Sequence, residues 1–157
     1  MVKILFVCHG NICRSPMAEF VMKDLVRKAG LEKQFVIQSA ATSREELGNP
    51  VYLPARRKLA EHGIRCSGKT ACQLQAKDYG AYDLLIRMDR ANLHNMRRIC
   101  GGDPDGKMHL LMEYAGQPDR DVADPWYTGD FEATWQDVLA GCQGLLVRLM
   151  AESFAKP

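Results

Sequence analysis

Between Cys8 and Ser15 the chain reads Cys-His-Gly-Asn-Ile-Cys-Arg-Ser, with a thiol at its start and the Arg14 guanidinium near its end. The apolar run Ile4-Leu5-Phe6-Val7 stands directly before this stretch, and Pro16 directly after it opens a helical pattern. A strand that empties through a short loop into a helix start leaves the helix's first N–H groups unpaired and aimed into the loop. The helix dipole adds partial positive charge at the same end. Gly10 relaxes the steric limits on loop amides that must converge on one point. Arg14 adds a planar fork able to hold two anion oxygens. His9, Gly10, Asn11, Ile12, Cys13, Arg14 and Ser15 are therefore expected to cradle a tetrahedral oxyanion such as phosphate, with Cys8 at its floor.

Helix amides and Arg14 favour a thiolate at Cys8, the reactive form of cysteine. Such a thiolate can attack phosphorus and form a thiophosphate intermediate. Ser15 has two competing uses, as N-cap of the helix or as a hydroxyl donor to the Cys8 sulfur. Asn11 tolerates left-handed backbone and can brace the loop from inside. A thiol merely buried at the end of a core strand would leave Gly10, Asn11 and Arg14 unexplained. His9, as imidazolium, would add positive charge beside a bound anion, and a solvent-facing place at the rim is an equal alternative.

At these residues the chain resembles the low-molecular-weight protein tyrosine phosphatases. Their loop pattern, Cys-x-Gly-Asn-x-Cys-Arg-Ser-Pro, is matched throughout by Cys8 to Pro16. The resemblance continues at Ser39-Ala40-Ala41-Thr42, at Gly48-Asn49-Pro50, at Tyr82-Asp83-Leu84-Leu85-Ile86 leading into Met88-Asp89, and at Asp124-Pro125-Trp126-Tyr127. It implies Cys8 as nucleophile, Arg14 as phosphate ligand and Asp124 as general acid. It implies that Asn11, Ser15 and Ser39 hold the loop in shape and that Cys13 can form a reversible disulfide with Cys8. Trp126 and Tyr127 would flank the pocket mouth. The implied substrates are phosphotyrosine-containing proteins or small aryl phosphates, with neither metal nor cofactor.

Four positions depart from the family pattern. His9 stands where an apolar residue is usual, Lys69 replaces a histidine, and Cys72 replaces an arginine. Glu45 occupies a place that is often aromatic, so the expected substrate wall is Glu45, Trp126 and Tyr127.

An aryl phosphate needs a proton for its leaving oxygen, and a positioned acid is worth roughly 10²–10⁴-fold in rate. The loop acids are Asp103, Asp105, Asp119, Asp121 and Asp124. Asp103 and Asp124 precede proline, which holds them extended. Only Asp124 has aromatic neighbours to shield it and to stack on a substrate ring, so Asp103 is the second choice. Ile12 and the Trp126-Tyr127 wall favour a deep slot for a phenyl ring, hence tyrosine phosphate over serine phosphate. A thiol-dependent arsenate reductase could share this fold and loop. It needs two further cysteines to pass a disulfide outward, and after the third strand the chain offers Met88 and no cysteine before Cys100. A non-catalytic phosphotyrosine-binding module would need neither Cys8 nor Asp124.

Positioning such a site takes a core, and 157 residues with 46% apolar content suit one domain over 1–157. Apolar runs predict strands at Val2–Val7, Phe35–Ser39, Tyr82–Met88 and Met108–Met112, the continuous first run being that of a parallel strand covered on both faces. Helices are expected from Pro16 to near Gly30, from Pro54 to Gly63, from Ala91 to Arg98, and after Asp130, whose helix carries Phe131, Trp135, Val138, Cys142 and Leu149 on one face. Residues 115–129 read as a long loop. The alternation gives an α/β, three-layer domain, a four-stranded parallel sheet flanked by helices, of flavodoxin-like or Rossmann-like class. Ligands bind such sheets at the carboxyl ends of the strands.

The net charge of +2 shows no nucleic-acid footprint. Arg56-Arg57 and Arg97-Arg98 read as solvated helix faces. No stretch approaches the ~20 apolar residues of a membrane span, and Ile4–Cys8 is too short for a signal-peptide core. The six cysteines are expected as reduced thiols of a cytoplasmic, monomeric protein. Cys66, Cys72 and Cys100 lack zinc-site spacing.

Overall fold

The apolar run after Met1 forms β1 (Val2–Cys8), whose last five residues, Ile4 to Cys8, are buried. In this computed structural model, which describes residues 1–155, β1 pairs on both sides with parallel neighbours. The neighbours are β2 (Phe35–Ala41) and β3 (Leu84–Arg87); β4 (Met108–Leu110) adds to β3, giving the order β2-β1-β3-β4. A central parallel strand has helices over both faces, so an unbroken apolar sequence is what it needs.

One face is covered by α1 (Arg14–Lys28) and α6 (Phe131–Ala155). There Ile4 and Phe6 of the sheet meet Met17, Val21, Val138 and Cys142. α2 (Leu53–Glu61) lies beside both helices. On the other face Leu5, Val7 and Leu85 pack against Met96 of α4 (Arg90–Cys100) and Tyr79 of the short α3 (Asp78–Ala81). This is the expected four-stranded α/β architecture, and Cys142 lies in the core as expected. Arg56, Arg57, Arg97 and Arg98 are exposed. His94 is exposed too, and His62, at the end of α2, stacks on Trp135 with ring centroids 3.8 Å apart.

The differences from the sequence expectation each have a local cause. β2 runs past Ser39 to Ala41, because Ala41 both donates to Cys72 O and accepts from Leu74 N. The fourth strand stops at Leu110, where the Glu113 carboxylate takes the Leu110 N–H at 3.0 Å and the chain enters a 3-10 turn, Leu111–Ala115. That turn lies against α6 at Gly144, where an added Cβ would stand 1.8 Å from the Tyr114 carbonyl oxygen. α4 starts one residue early because Asp89 and Asn92 form a reciprocal capping box. The long loop 115–129 contains one further helical turn, α5 (Pro125–Thr128), with Asp124 as its N-cap.

Candidate active site

Residues 9–13 carry the chain from the end of β1 to the start of α1. Among the described residues, Asn11 is the one non-glycine with positive φ, at 59°. That conformation is uphill for an L-residue, and the Asn11 side chain holds it by three hydrogen bonds. Its Nδ2 donates to Ser15 Oγ at 2.7 Å and to Ser39 Oγ at 2.9 Å. Its Oδ1 accepts from the Cys72 amide at 3.2 Å.

The turned-over backbone aims the Asn11 N–H at Cys8 Sγ, 3.3 Å away. Ser15 Oγ lies 3.0 Å from the same sulfur. Because that oxygen already accepts from Asn11, its own proton is free to point at a thiolate. The two uses open to Ser15 are thereby resolved: it sits inside the first turn of α1, whose N-cap, Cys13, makes no side-chain cap. Behind the loop, Ser39 Oγ donates to Glu19 Oε1 at 2.5 Å. Glu19 is buried and is compensated by Lys23 Nζ at 2.6 Å and Lys69 Nζ at 3.6 Å. Lys69 also donates to the Ser39 carbonyl at 2.8 Å.

Arg14 is only 3% exposed. Its Nη1 donates to Asp89 Oδ2 at 2.7 Å and to Val122 O at 2.9 Å, and its Nη2 lies 3.6 Å from Asp124 Oδ2. Burial alone would weaken its hold on the proton, but Cys8, Asp89 and Asp124 outweigh this and raise its pKa, so the guanidinium stays charged. Cys13 is the reverse case. Burial first, and the neighbouring Cys8 second, push its thiol up to about 12.

Asp124 accepts the Trp126 N–H at 3.0 Å through one oxygen and keeps the other toward Arg14. Asp103, the second choice for the acid, lies elsewhere. It accepts from Tyr79 Oη at 2.7 Å and from the Lys107 and Met108 amides, bracing the approach to β4. Burial pushes its pKa up, but those hydrogen bonds prevail and hold it below the usual carboxylate range.

These elements form an open cleft of about 140 Å³. The expected loop residues from Cys8 to Arg14 line it, together with Glu45, Asp124, Trp126 and Tyr127. Ser15 and Ser39 stand under the loop. His9 is half-exposed at the rim of the cleft it helps to line, its Nε2 3.1 Å from Glu45 Oε2. Asp89, read from sequence only as lying just past the end of the third strand, where ligands bind, holds Arg14. Other partners were not expected: Glu46 lines the cleft, Tyr52 packs on Trp126 with centroids 4.9 Å apart, and Glu19 and Val122 serve as supports. Glu46 adjoins Glu45, and only that adjacency could have flagged it. Among the described residues no three His, Cys, Asp or Glu side chains gather as a metal site, and no helix is long and apolar enough to cross a membrane.

A family model described as low molecular weight phosphotyrosine protein phosphatase matches residues 3–155. The chain belongs to this family. A low molecular weight protein-tyrosine-phosphatase of Bacillus subtilis, YfkJ, is 38% identical over 153 residues, covering 97% of this chain and 98% of the relative. The crystal structure of YfkJ superposes with a TM-score of 0.93 over 97% of this chain and 96% of that one. The structure of SP-PTP from Streptococcus pyogenes is 41% identical, with a TM-score of 0.86 over 98% and 97% of the two chains. PtpA of Staphylococcus aureus is 31% identical over 99% of both chains. The low molecular weight phosphatases therefore share with this chain its full fold. The arsenate-reductase and binding-module alternatives gain nothing from these relatives, all of which are named phosphatases.

Proposed function

We propose that this phosphatase hydrolyses aryl phosphate monoesters, phosphotyrosine above all, in two steps through Cys8. The observation that carries this is the sulfur's surroundings: one main-chain N–H and the Ser15 hydroxyl converge on it beside a buried, fully charged Arg14. In the first step the Cys8 thiolate attacks phosphorus and the P–O ester bond breaks. Asp124 gives its proton to the departing phenolate oxygen. In the second step water attacks the thiophosphate, Asp124 takes the water's proton, and the S–P bond breaks to release phosphate and the thiolate. Arg14 and the loop amides stabilise the equatorial oxygens in both steps, a contribution of the kind that dominates many such reactions. Asp89 and the Val122 carbonyl fix the guanidinium in advance, so little reorganisation remains when substrate arrives.

Depth supports the aryl preference. Cys8 is 3% exposed, beneath a mouth flanked by Trp126 and Tyr127. A seryl phosphate is too short to bring phosphorus down to the sulfur. Paired phosphopeptides test this: the tyrosine form is turned over and the serine form is not, and equal rates would refute it. A p-nitrophenyl phosphate assay run beside an arsenate-reduction assay separates phosphatase from reductase. The same reading makes the enzyme a cytoplasmic monomer with reduced thiols, Cys13 serving as the partner that captures an oxidised Cys8.

A further inference from the structure

We propose that the cleft mouth selects phosphotyrosine with a positively charged residue beside it in the peptide. The inference rests on the active-site reading above and adds the substrate class. The residues that line the mouth include the aromatics Trp126 and Tyr127, with Tyr52 packed on Trp126. They also include two carboxylates, Glu45 and Glu46.

Two carboxylates beside a site for a dianion repel the very group the site must bind. The Glu46 carboxylate is held by Asn49 Nδ2 at 2.6 Å. Its stem lies over Gly10 of the anion loop, where an added Cβ would be 3.5 Å from Glu46 Cγ. Glu45 meets His9 at 3.1 Å, but its side chain is still 69% exposed and available to an incoming charge. Arg14 offers no relief at the rim, because it is buried against Asp89. A lysine or arginine next to the phosphotyrosine removes the conflict. Its charge meets the carboxylates, and its stem or guanidinium can lie against the exposed aromatic faces. A glutamate at the same place adds a further like charge.

Each exposed contact of this kind is modest, and opposite effects of a cation and an anion against two carboxylates combine to roughly ten-fold. The test uses three phosphotyrosine peptides that differ only in arginine, alanine or glutamate beside the phosphotyrosine. They are compared at low salt with the parent enzyme, with Glu45→Gln/Glu46→Gln and with Glu45→Lys/Glu46→Lys. The expected kcat/KM order in the parent is arginine, alanine, glutamate, with about ten-fold between the extremes and most of it in KM. Added salt shrinks the spread, the glutamine pair flattens it, and the lysine pair inverts it. A flat order in the parent, or one that survives in the glutamine pair, overturns the proposal. Turnover of p-nitrophenyl phosphate by the parent reports on Cys8, Arg14 and Asp124 independently. Its loss sinks the active-site reading, whereas a flat peptide order with intact turnover sinks only the rim.

Discussion

Lys69 and Glu19 form a buried ion pair beneath the anion loop, Nζ to Oε1 3.6 Å, with side chains 10% and 2% exposed. Lys69 thereby sits at the root of a relay that runs through Glu19, Ser39, Asn11 and Ser15 to the Cys8 sulfur. An ionised Glu19 compels Ser39 to donate to it, so Ser39 Oγ must accept from Asn11. That fixes the Asn11 amide and, with it, the left-handed backbone that presents its N–H to Cys8. Lys69→Met leaves Glu19 with Lys23 alone, and about 1–3 kcal/mol of stability is expected to go. A fall in kcat of about ten-fold should accompany it as the loop loosens. Lys69→His, which keeps a nitrogen donor at this place, should recover most of both. Denaturant titration and steady-state kinetics on the two variants check this, and a Lys69→Met enzyme with unchanged kcat would exclude the relay.

Peroxide should inactivate the enzyme reversibly. Peroxide oxidises the Cys8 thiolate to sulfenic acid, and the Cys13 thiol then displaces water to form a Cys8–Cys13 disulfide. Cys13, held as a thiol with its pKa at about 12, does not compete for the first oxidation. Part of that elevation comes from Cys8 itself, so loss of the Cys8 charge makes Cys13 more reactive. After peroxide and then dithiothreitol, the parent should regain most of its activity and Cys13→Ser should not. Equal recovery by both would remove Cys13 from the process.

Gly144→Ala should be among the most damaging single substitutions in the chain. The new methyl would meet a main-chain carbonyl, Tyr114 O, at 1.8 Å, and a backbone cannot step aside as a side-chain end does. Overpacking typically costs about 1–3 kcal/mol, and a cost at or above the top of that range is expected from urea midpoints. Gly141→Ala, which meets only the Leu111 side chain, should cost less. The reverse ranking would mean that α6 and the Leu111–Ala115 turn are not in contact as described.

Alkaline pH should weaken the fold in part through Cys142. Complete burial raises the pKa of its thiol well above the ordinary value. A group raised in the folded state contributes stability that is whole below the unfolded pKa, about 8.5 for cysteine. That contribution is lost as pH climbs toward the folded value, at about 1.4 kcal/mol per unit. Cys142→Ala lacks this term. Its stability deficit relative to the parent should therefore shrink between pH 8 and pH 10 in chemical denaturation. A deficit constant across that range would show that the thiol is not sealed in the core.

Much of the fold and of the residues that line the cleft could be read from local pattern. Ile4 to Val7 is an unbroken apolar run because β1 has neighbours and helices on every side, and Asp124 is singled out by Pro125 and the aromatic pair that follow. What escaped were pairings across long stretches of chain. Arg14 meets Asp89 and Val122, which lie 75 and 108 residues away, and no periodicity announces such contacts. Glu19 sits on the buried face of α1, where a helical pattern reads it as a polar exception. The choice facing Ser15 depends on where the Asn11 amide points, which depends in turn on Ser39 and Glu19. β4 ended early because one carboxylate, Glu113, captured the Leu110 amide.

Transfer of phosphorus to the Cys8 sulfur leaves a covalent S–P bond that can be trapped. Rapid acid quench of Asp124→Ala during turnover of an aryl phosphate, followed by mass spectrometry of the peptide holding the loop, examines that bond directly. A phosphoryl group on Cys8, absent from Cys8→Ser, is the expected result. Phosphate found on another residue, or turnover with no phosphoenzyme and undiminished activity in Cys8→Ser, would contradict it.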